Sequence, residues 1–350
     1  MKIACITDQH FGARNDSIHF SEYFKKFYDN IFFPYLKENN ISTVIDLGDT
    51  FDHRKYINYN IFNLTKKMWF DKLSENDIAL HCIVGNHSTY FKNTNAINSI
   101  DLLTELYPNV TSYSEVEEVN IGGLNMIFVP WINPQNSKSS LNIIDQTKCK
   151  IGFGHLEVNG FYLNSQIIAR SGLNPSIFSG FEAMYSGHFH KRSDNSTIYY
   201  LGTPYQINWS DYGETKGFHV FDTETLGMEF IGNPYTILEK IYYDDSKTDY
   251  ETVDVSEYDS KIIKLVVINK KDLYKFDRFL SRLYNDINVI DLKIIESNDL
   301  DSGIIEEVNS SDDTSSLISK YIESISISGI ENDDLSNRMH ELYVEASNIE

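Results

Sequence analysis

Three stretches decide the fold: KIACITDQH (2–10), STVIDLGDTFDH (42–53) and IALHCIVGNH (78–87). Each begins as a short apolar run and ends in a cluster of Asp, Asn, Gly and His. Between the first two, Phe20, Phe24, Phe27, Tyr28, Ile31 and Tyr35 recur at helical spacing, so a helix is expected over 20–39. A second helix is expected over 59–73. Strand followed by helix, repeated, is the pattern of βαβ units and a largely parallel sheet. Sheets of that kind bind ligands at the carboxyl ends of their strands. The three polar clusters therefore converge on one edge.

From about residue 110 the pattern turns to hairpins. VEEVNIGGLNMIFVPW (116–131) has two alternating runs around Gly122-Gly123, a favourable tight-turn pair. Short strands are expected at IGFGH (151–155), AMYSG (183–187), TIYYLG (197–202), GFHVFD (217–222) and MEFIG (228–232), forming a second sheet against the first. The fold class is α/β, a two-sheet sandwich flanked by helices, over residues 1–235. A small α+β accessory domain follows over 236–296, with KIIKLVVI (261–268), a helix and VIDLKIIE (289–296) as its βαβ unit. Residues 297–315 are polar and acidic, as a linker is. C-terminal helices are expected near 315–327 and 332–347, making 316–350 a helical partner-binding segment.

Composition sets limits. The chain has 350 residues and a net charge of −21, which argues against a broad basic face of its own for nucleic acid. The last fifty residues hold twelve Asp or Glu against two Lys or Arg, whereas Arg14, Arg54, Lys55, Lys92, Lys191 and Arg192 lie close to the Asp and His motifs. A basic rim around an acidic site suits a phosphate substrate. No run of eighteen apolar residues occurs, and IACI is too short for a signal peptide, so an intracellular protein is expected, with no membrane partner. Cys5, Cys82 and Cys149 follow no CxxC spacing and read as buried apolar residues.

The chemistry lies in the clusters. Asp8 and His10 stand two apart at a strand end, and Asp49 follows Gly48. Asn86 and His87 follow Gly85, His155 closes a strand, and His188 and His190 repeat the two-residue spacing. Oxygen and nitrogen donors without sulfur suit Mn, Fe, Zn or Ni better than Mg or Ca. Asp49 has two oxygens and can bridge a pair of ions, the arrangement used in two-metal hydrolysis of phosphate esters.

The series DxH, GDxFD, GNH, GH and GHFH resembles the calcineurin-like metallophosphoesterases. GDTFDHRK (48–55), IVGNH (83–87), FVPW (128–131), GHLEVNGFY (154–162), YSGHFH (185–190), YLGTPYQINWSD (200–211) and KGFHVFDTET (216–225) are similar to the SbcD/Mre-type DNA double-strand-break repair nuclease subunits, in the form found in T-even-type bacteriophages. ELYVEAS (341–347) resembles the end of that subunit. The resemblance implies that Asp8, His10, Asp49 and His190 hold one manganese ion and Asp49, Asn86, His155 and His188 a second. It makes His87 the catalytic histidine that stabilises the transition state or protonates the leaving oxygen. It further implies a 3′→5′ exonuclease and endonuclease acting on DNA in recombination and repair. The expected partner is a coiled-coil ABC-type ATPase bound through the C-terminal region, in a heterotetramer built on a homodimer. A phage-encoded chain would work in the host cytoplasm. Another dinuclear metallophosphoesterase (a phosphatase or nucleotide phosphodiesterase) and a catalytically weakened scaffold subunit are the alternatives.

One position departs from that family. An acidic residue usually follows the GNH histidine, and here Ser88 does, which deprives His87 of a charged support. Loss of such a carboxylate typically costs about 10–100-fold in metal affinity or activity, so a slowed enzyme is expected.

Overall fold

The computed structural model describes residues 1–104, 106–162 and 168–296, together with Leu335, Arg338 and Met339. It divides into two compact units, one of residues 1–207 and 213–237 and one containing 208–212 and 238–296. The linker over 297–315 and the two C-terminal helices expected from the sequence lie outside the described residues, those three positions apart.

The strands of the first unit are β1 (Lys2–Ile6), β2 (Thr43–Asp46), β3 (Ala79–Ile83), β4 (Val110–Tyr113), β5 (Glu117–Ile121), β6 (Leu124–Val129), β7 (Ile151–His155), β8 (Ala183–Gly187), β9 (Ser193–Asp194), β10 (Ile198–Tyr200), β11 (Gly217–Asp222) and β12 (Met228–Gly232). They form two six-stranded sheets, ordered β12-β11-β1-β2-β3-β4 and β5-β6-β7-β8-β10-β9. This is the two-sheet α/β architecture expected, with one change of membership. GFHVFD and MEFIG do not join the second sheet. β11 returns to pair antiparallel with β1, Lys2 opposite Asp222 and Cys5 opposite His219. The reason is burial. Ile3 to Ile6 are buried on both faces, so the β1 backbone must be paired on both edges, and β2 supplies only one. The second sheet is also mostly parallel, β6 to β7 to β8 to β10, with hairpin pairing confined to β5 with β6 and β9 with β10.

Alternation fills the space between the sheets. Ile3, Cys5, Ile45, Leu47 and Ile83 face inward from one sheet, and Met126, Phe128, Ile151, Phe153 and Tyr185 from the other. The opposite faces are buried as well: Ile127, Val129, Met184 and Ile198 cluster with Ile144 of the helix Ser137–Gln146. All three cysteines are buried and unbonded to one another, as expected.

The first helix runs from Ile18 through Glu38, but not uniformly. Pro34 has no N–H for the carbonyl four residues back, and its ring crowds that carbonyl. The chain widens there, and Phe33 N–H bonds Tyr28 C=O five residues back. That insertion sets Tyr28, Phe32 and Trp69 ring against ring, at 5.3–5.7 Å between centroids. The Tyr28 hydroxyl donates to Gln9 Oε1, and Gln9 Nε2 donates to buried Asp46 Oδ2 at 2.7 Å. Thr50 Oγ1 donates to the same carboxyl oxygen at 2.7 Å and Gly48 N to the other at 3.0 Å, while Tyr205 donates to Gln9 C=O at 2.6 Å. Burial lifts the Asp46 carboxyl to about 7, against the pull of Thr50 and Gly48.

In the second unit β13 (Leu238–Asp244), β14 (Ile262–Asn269) and β15 (Asp291–Glu296) make a parallel three-stranded sheet. The helix Leu273–Asn285 is capped by Asp272, which accepts from Tyr274 N and Lys275 N. It lays Phe276, Phe279 and Leu283 on Ile263, Leu265 and Val267. The segment 208–212 belongs here, with the Trp209 ring 4.4 Å from Lys264 Nζ and the Tyr212 ring 4.9 Å from Lys240 Nζ.

The Tyr28 hydroxyl is the test of the buried chain that carries Gln9. Tyr28→Phe leaves Gln9 Oε1 without a donor and should lower unfolding free energy by about 1–3 kcal/mol in urea denaturation. An unchanged midpoint would show the contact to be dispensable.

Candidate metal centre

Every residue of the expected site sits at a strand's carboxyl end. Asp8 and His10 follow β1, Asp49 follows β2, and Asn86 and His87 follow β3. His155 closes β7, and His188 and His190 follow β8. Because β1, β2 and β3 run parallel in one sheet and β7 and β8 in the other, their ends meet. The structure brings all eight residues together.

Their backbone is forced. Asp8, His10, Asp49 and His188 all have positive φ, at 51°, 46°, 54° and 86°, a conformation costing about 1–2 kcal/mol for residues with a Cβ. Asp8 N donates to Gly48 O at 2.9 Å, His10 N to Asp49 O at 3.0 Å and Phe11 N to Thr50 O at 2.9 Å, which zips the two loops together. Close approach needs glycine at two positions. A Cβ on Gly85 would lie 2.2 Å from Asp49 Oδ1, and one on Gly187 2.0 Å from Thr7 Oγ1.

The donors gather into two groups. In one, His190 Nε2 lies 3.1 Å from His10 Nε2, which is 3.8 Å from Asp8 Oδ1. Thr7 Oγ1 and His188 N fix the Asp8 carboxylate at 2.7 and 3.0 Å. In the other, His155 Nε2 is 3.1 Å from Asp49 Oδ2 and 2.9 Å from Asn86 Oδ1, and His188 Nδ1 is also 2.9 Å from Asn86 Oδ1. Each group places three His or Asp donor atoms within 4.8 Å of one another. Nitrogen lone pairs and carboxylate oxygens aimed at a common point fit a divalent cation well. His155 Nδ1 lies 2.9 Å from Leu47 O, the outer hydrogen bond that orients a ligating imidazole.

Sequence reasoning missed Asp52. Its Oδ1 is 3.0 Å from His10 Nδ1, an ion-pair approach lying off the ring N–H direction, and its carbonyl accepts from His87 Nδ1. A carbonyl only accepts, so His87 Nδ1 carries hydrogen and Nε2 is left out of that bond. Ser88 takes no part: its Oγ is buried with no hydrogen-bond partner among the described residues. Position 88 thus gives His87 no charged support, and its ring is held instead by the uncharged backbone carbonyl of Asp52. The GDTFD motif contained the signal, a second aspartate three residues beyond Asp49. Trp131, from FVPW, was also overlooked, and its ring stands 5.3 Å from that of His188.

The expected basic rim is only partly present. Arg54 is half-buried and donates to Thr89 O at 3.3 Å and Thr89 Oγ1 at 3.1 Å, two residues beyond His87. Arg14, Lys55 and Lys92 are exposed, but Lys191 faces Glu214 at 3.7 Å and Arg192 covers the Phe230 ring at 3.6 Å.

Charges within the site move its protons. Burial pulls the His10 imidazole down, but Asp52, with Asp49 and Asp8, lifts it to about 9. Burial likewise opposes protonation of His155, which Asp49 and Asp8 raise to about 9. Burial pushes the Asp49 carboxyl up, yet His155, His87 and His10 hold it well below its usual range. His188 is driven well below normal by burial and by the charge on His155.

Two predictions follow from this geometry. A histidine titrating near 9 stabilises the folded protein below its unfolded value of about 6.5, and that contribution disappears as pH rises to about 9. The same protons must leave before the imidazoles bind a cation. Between pH 6.5 and 9, EDTA-treated protein should lose melting temperature while the increment on adding Mn²⁺ grows. Calorimetry at pH 7.5 in buffers of different ionisation enthalpy should register proton release, and its absence would contradict the assignment. Asp52→Ala should weaken Mn²⁺ affinity about 10–100-fold in the same titration.

The family model of calcineurin-like phosphoesterases matches residues 1–196. Exonuclease subunit 1 of Enterobacteria phage T4 is 32% identical over 353 residues, 99% of this chain and 100% of that protein. A novel archaeal phosphodiesterase of solved structure gives a TM-score of 0.34 at 14% identity, over 67% of this chain and all of that one. A dimetal phosphatase from Danio rerio gives 0.38 at 12% identity, over 63% of this chain and 91% of that one. Those two overlaps are too loose to carry an argument. The family match covers more than half of the chain and the phage relative nearly all of it, so the likeness drawn from the motifs holds, and the chain belongs to the calcineurin-like phosphoesterase family.

Proposed function

We propose that this chain is the nuclease subunit of a DNA recombination and repair complex, hydrolysing phosphodiester bonds as a 3′→5′ exonuclease and endonuclease. The observation that carries the reading is the pair of Asp, Asn and His groups at the meeting strand ends, on a chain 32% identical to a phage protein named an exonuclease subunit. Asp8, His10, Asp49 and His190 would hold one divalent ion and Asp49, Asn86, His155 and His188 the other, Mn²⁺ being the proposed metal for both. When bound, such ions supply positive charge for activating water and for stabilising a developing phosphorane.

The residues of the chain account for the remainder. Water oxygen bonds to phosphorus and gives up a proton to solvent, the bond from phosphorus to the leaving sugar oxygen breaks, and that oxygen takes a proton. His87, with Nδ1–H tied to the Asp52 carbonyl, presents Nε2 to deliver that proton. Its ring stands edge-on to His10 at 4.9 Å, which places it beside the first donor group. Arg54, pinned to Thr89, offers a cation beyond His87 for a flanking phosphate.

With a net charge of −21, the chain needs a partner to supply most of the DNA-binding surface. The proposed partner is a coiled-coil ABC-type ATPase bound through the C-terminal region, in a heterotetramer built on a homodimer. For a phage-encoded protein the setting is the host cytoplasm.

The test is cleavage of linear duplex DNA and of bis-p-nitrophenyl phosphate by the purified chain with Mn²⁺ or Mg²⁺, with and without the ATPase. DNA should be degraded, and hydrolysis of the small diester alone would point to a phosphatase or nucleotide phosphodiesterase. His87→Asn should lower kcat about 10²–10⁴-fold with the metal content of the parent, and turnover at the parental rate would remove His87 from the chemistry.

A further inference from the structure

The segment Asp52-His53-Arg54 faces three ways. Asp52 turns to His10 and His87, and Arg54 to Thr89, while His53 turns away from the donor groups. The His53 imidazole stacks on the Tyr56 ring, centroids 4.6 Å apart and planes within 19°. Tyr56 remains 54% exposed. One face of its ring is spent on His53, so the exposure belongs to the other face and the edge. Beneath the pair lie the buried side chains of Phe11, Phe51 and Ile61, which support it from below.

Two further observations show how His53 and the neighbouring basic residues are held. His53 Nε2 and Asp16 Oδ1 face each other at 3.6 Å, both atoms are buried, and neither has a hydrogen-bond partner among the described residues. The approach is an ion pair when the imidazole is protonated, and it fixes the ring against which Tyr56 stacks. Asp16 is held there by a turn in which Arg14, Asn15 and Asp16 all have left-handed backbone, at φ 58°, 56° and 59°. Gly12, at φ 97°, makes the turn possible, because a Cβ there would stand 2.9 Å from Asp16 Oδ1. The turn leaves Arg14 exposed, and Lys55 is exposed beside His53.

We infer that Tyr56 and His53 form a stacking platform for an unpaired nucleobase, on the segment whose Asp52 contacts His10 and His87. This rests on the nuclease reading above. An aromatic ring with one face already supported loses little freedom when a base covers the other. Stacking tolerates any base, so the platform would take a frayed or single-stranded nucleotide without sequence preference. Duplex ends would have to open by a base to reach it. Arg14 and Lys55 supply charge for the adjoining backbone in an otherwise acidic chain.

The test uses the full chain, with Ca²⁺ in place of Mn²⁺ to suppress turnover, and a single-stranded oligonucleotide carrying 2-aminopurine at its 3′ end. Binding should quench the fluorescence of the terminal base. Tyr56→Ala should abolish the quench and weaken binding about 5- to 150-fold, the range for losing one stacked base, while Tyr56→Phe keeps both. Melting curves of the two variants report folding, and Tyr56→Leu, which keeps the apolar bulk without the ring, should behave as the alanine variant does. Quenching at parental strength in Tyr56→Ala would overturn the platform while leaving the nuclease reading intact. A parent chain that hydrolyses bis-p-nitrophenyl phosphate but neither binds nor cuts the oligonucleotide would overturn the nuclease reading, and the platform with it.

Discussion

Two carboxylates, Asp8 and Asp49, are buried where the strand ends of two sheets meet, and everything near them is arranged to compensate that charge. An isolated anion in such a place would cost far more than a domain's net stability. Here each is met from several directions. Thr7 Oγ1 and His188 N donate to Asp8, and His87 N donates to Asp49 Oδ1 at 2.7 Å while His155 lies against Oδ2. These hydrogen bonds satisfy part of each carboxylate and leave the rest of its negative potential pointing inward. Imidazole nitrogens converge on that potential, taking protons at low pH and standing ready for cations at high pH. Affinity for a divalent ion is thus another aspect of the problem of burying the two anions.

Geometry of this kind has a conformational cost. Four of the converging residues adopt left-handed backbone, and two glycines are pressed against side-chain oxygens at distances no Cβ allows. The strain is held by what lies beneath. Asp46 collects hydrogen bonds from Gln9, Thr50 and Gly48, and Gln9, the residue between Asp8 and His10, is held in turn by Tyr28 and Tyr205. Tyr28 opens the widened turn of the first helix, Tyr28–Phe32, just ahead of Pro34.

The region around residues 52–56 extends the same economy. One short segment supports two histidines of the centre, pins an arginine beyond it and turns a third histidine outward against an exposed tyrosine. The backbone bends at residues 52, 54 and 55, so neighbouring side chains point in different directions. A single loop can in this way serve the chemistry on one side and a substrate on the other.

The sequence alone determined the fold class and the eight residues that gather at the strand ends. These are local properties: alternation and helical periodicity report burial, and strand-end clusters of Asp, Asn and His report ligating chemistry. Asp52 and Ser88 were legible only as letters. Whether a side chain or a carbonyl reaches a neighbouring imidazole depends on contacts between residues about thirty-five apart, here Asp52 with His87. The return of β11 and β12 to the first sheet, the commitment of Lys191 and Arg192 to Glu214 and Phe230, and the stacking of His53 on Tyr56 were likewise settled by the tertiary structure. Pairing and charge compensation are properties of neighbours in space, and chain order specifies those only after the core has closed.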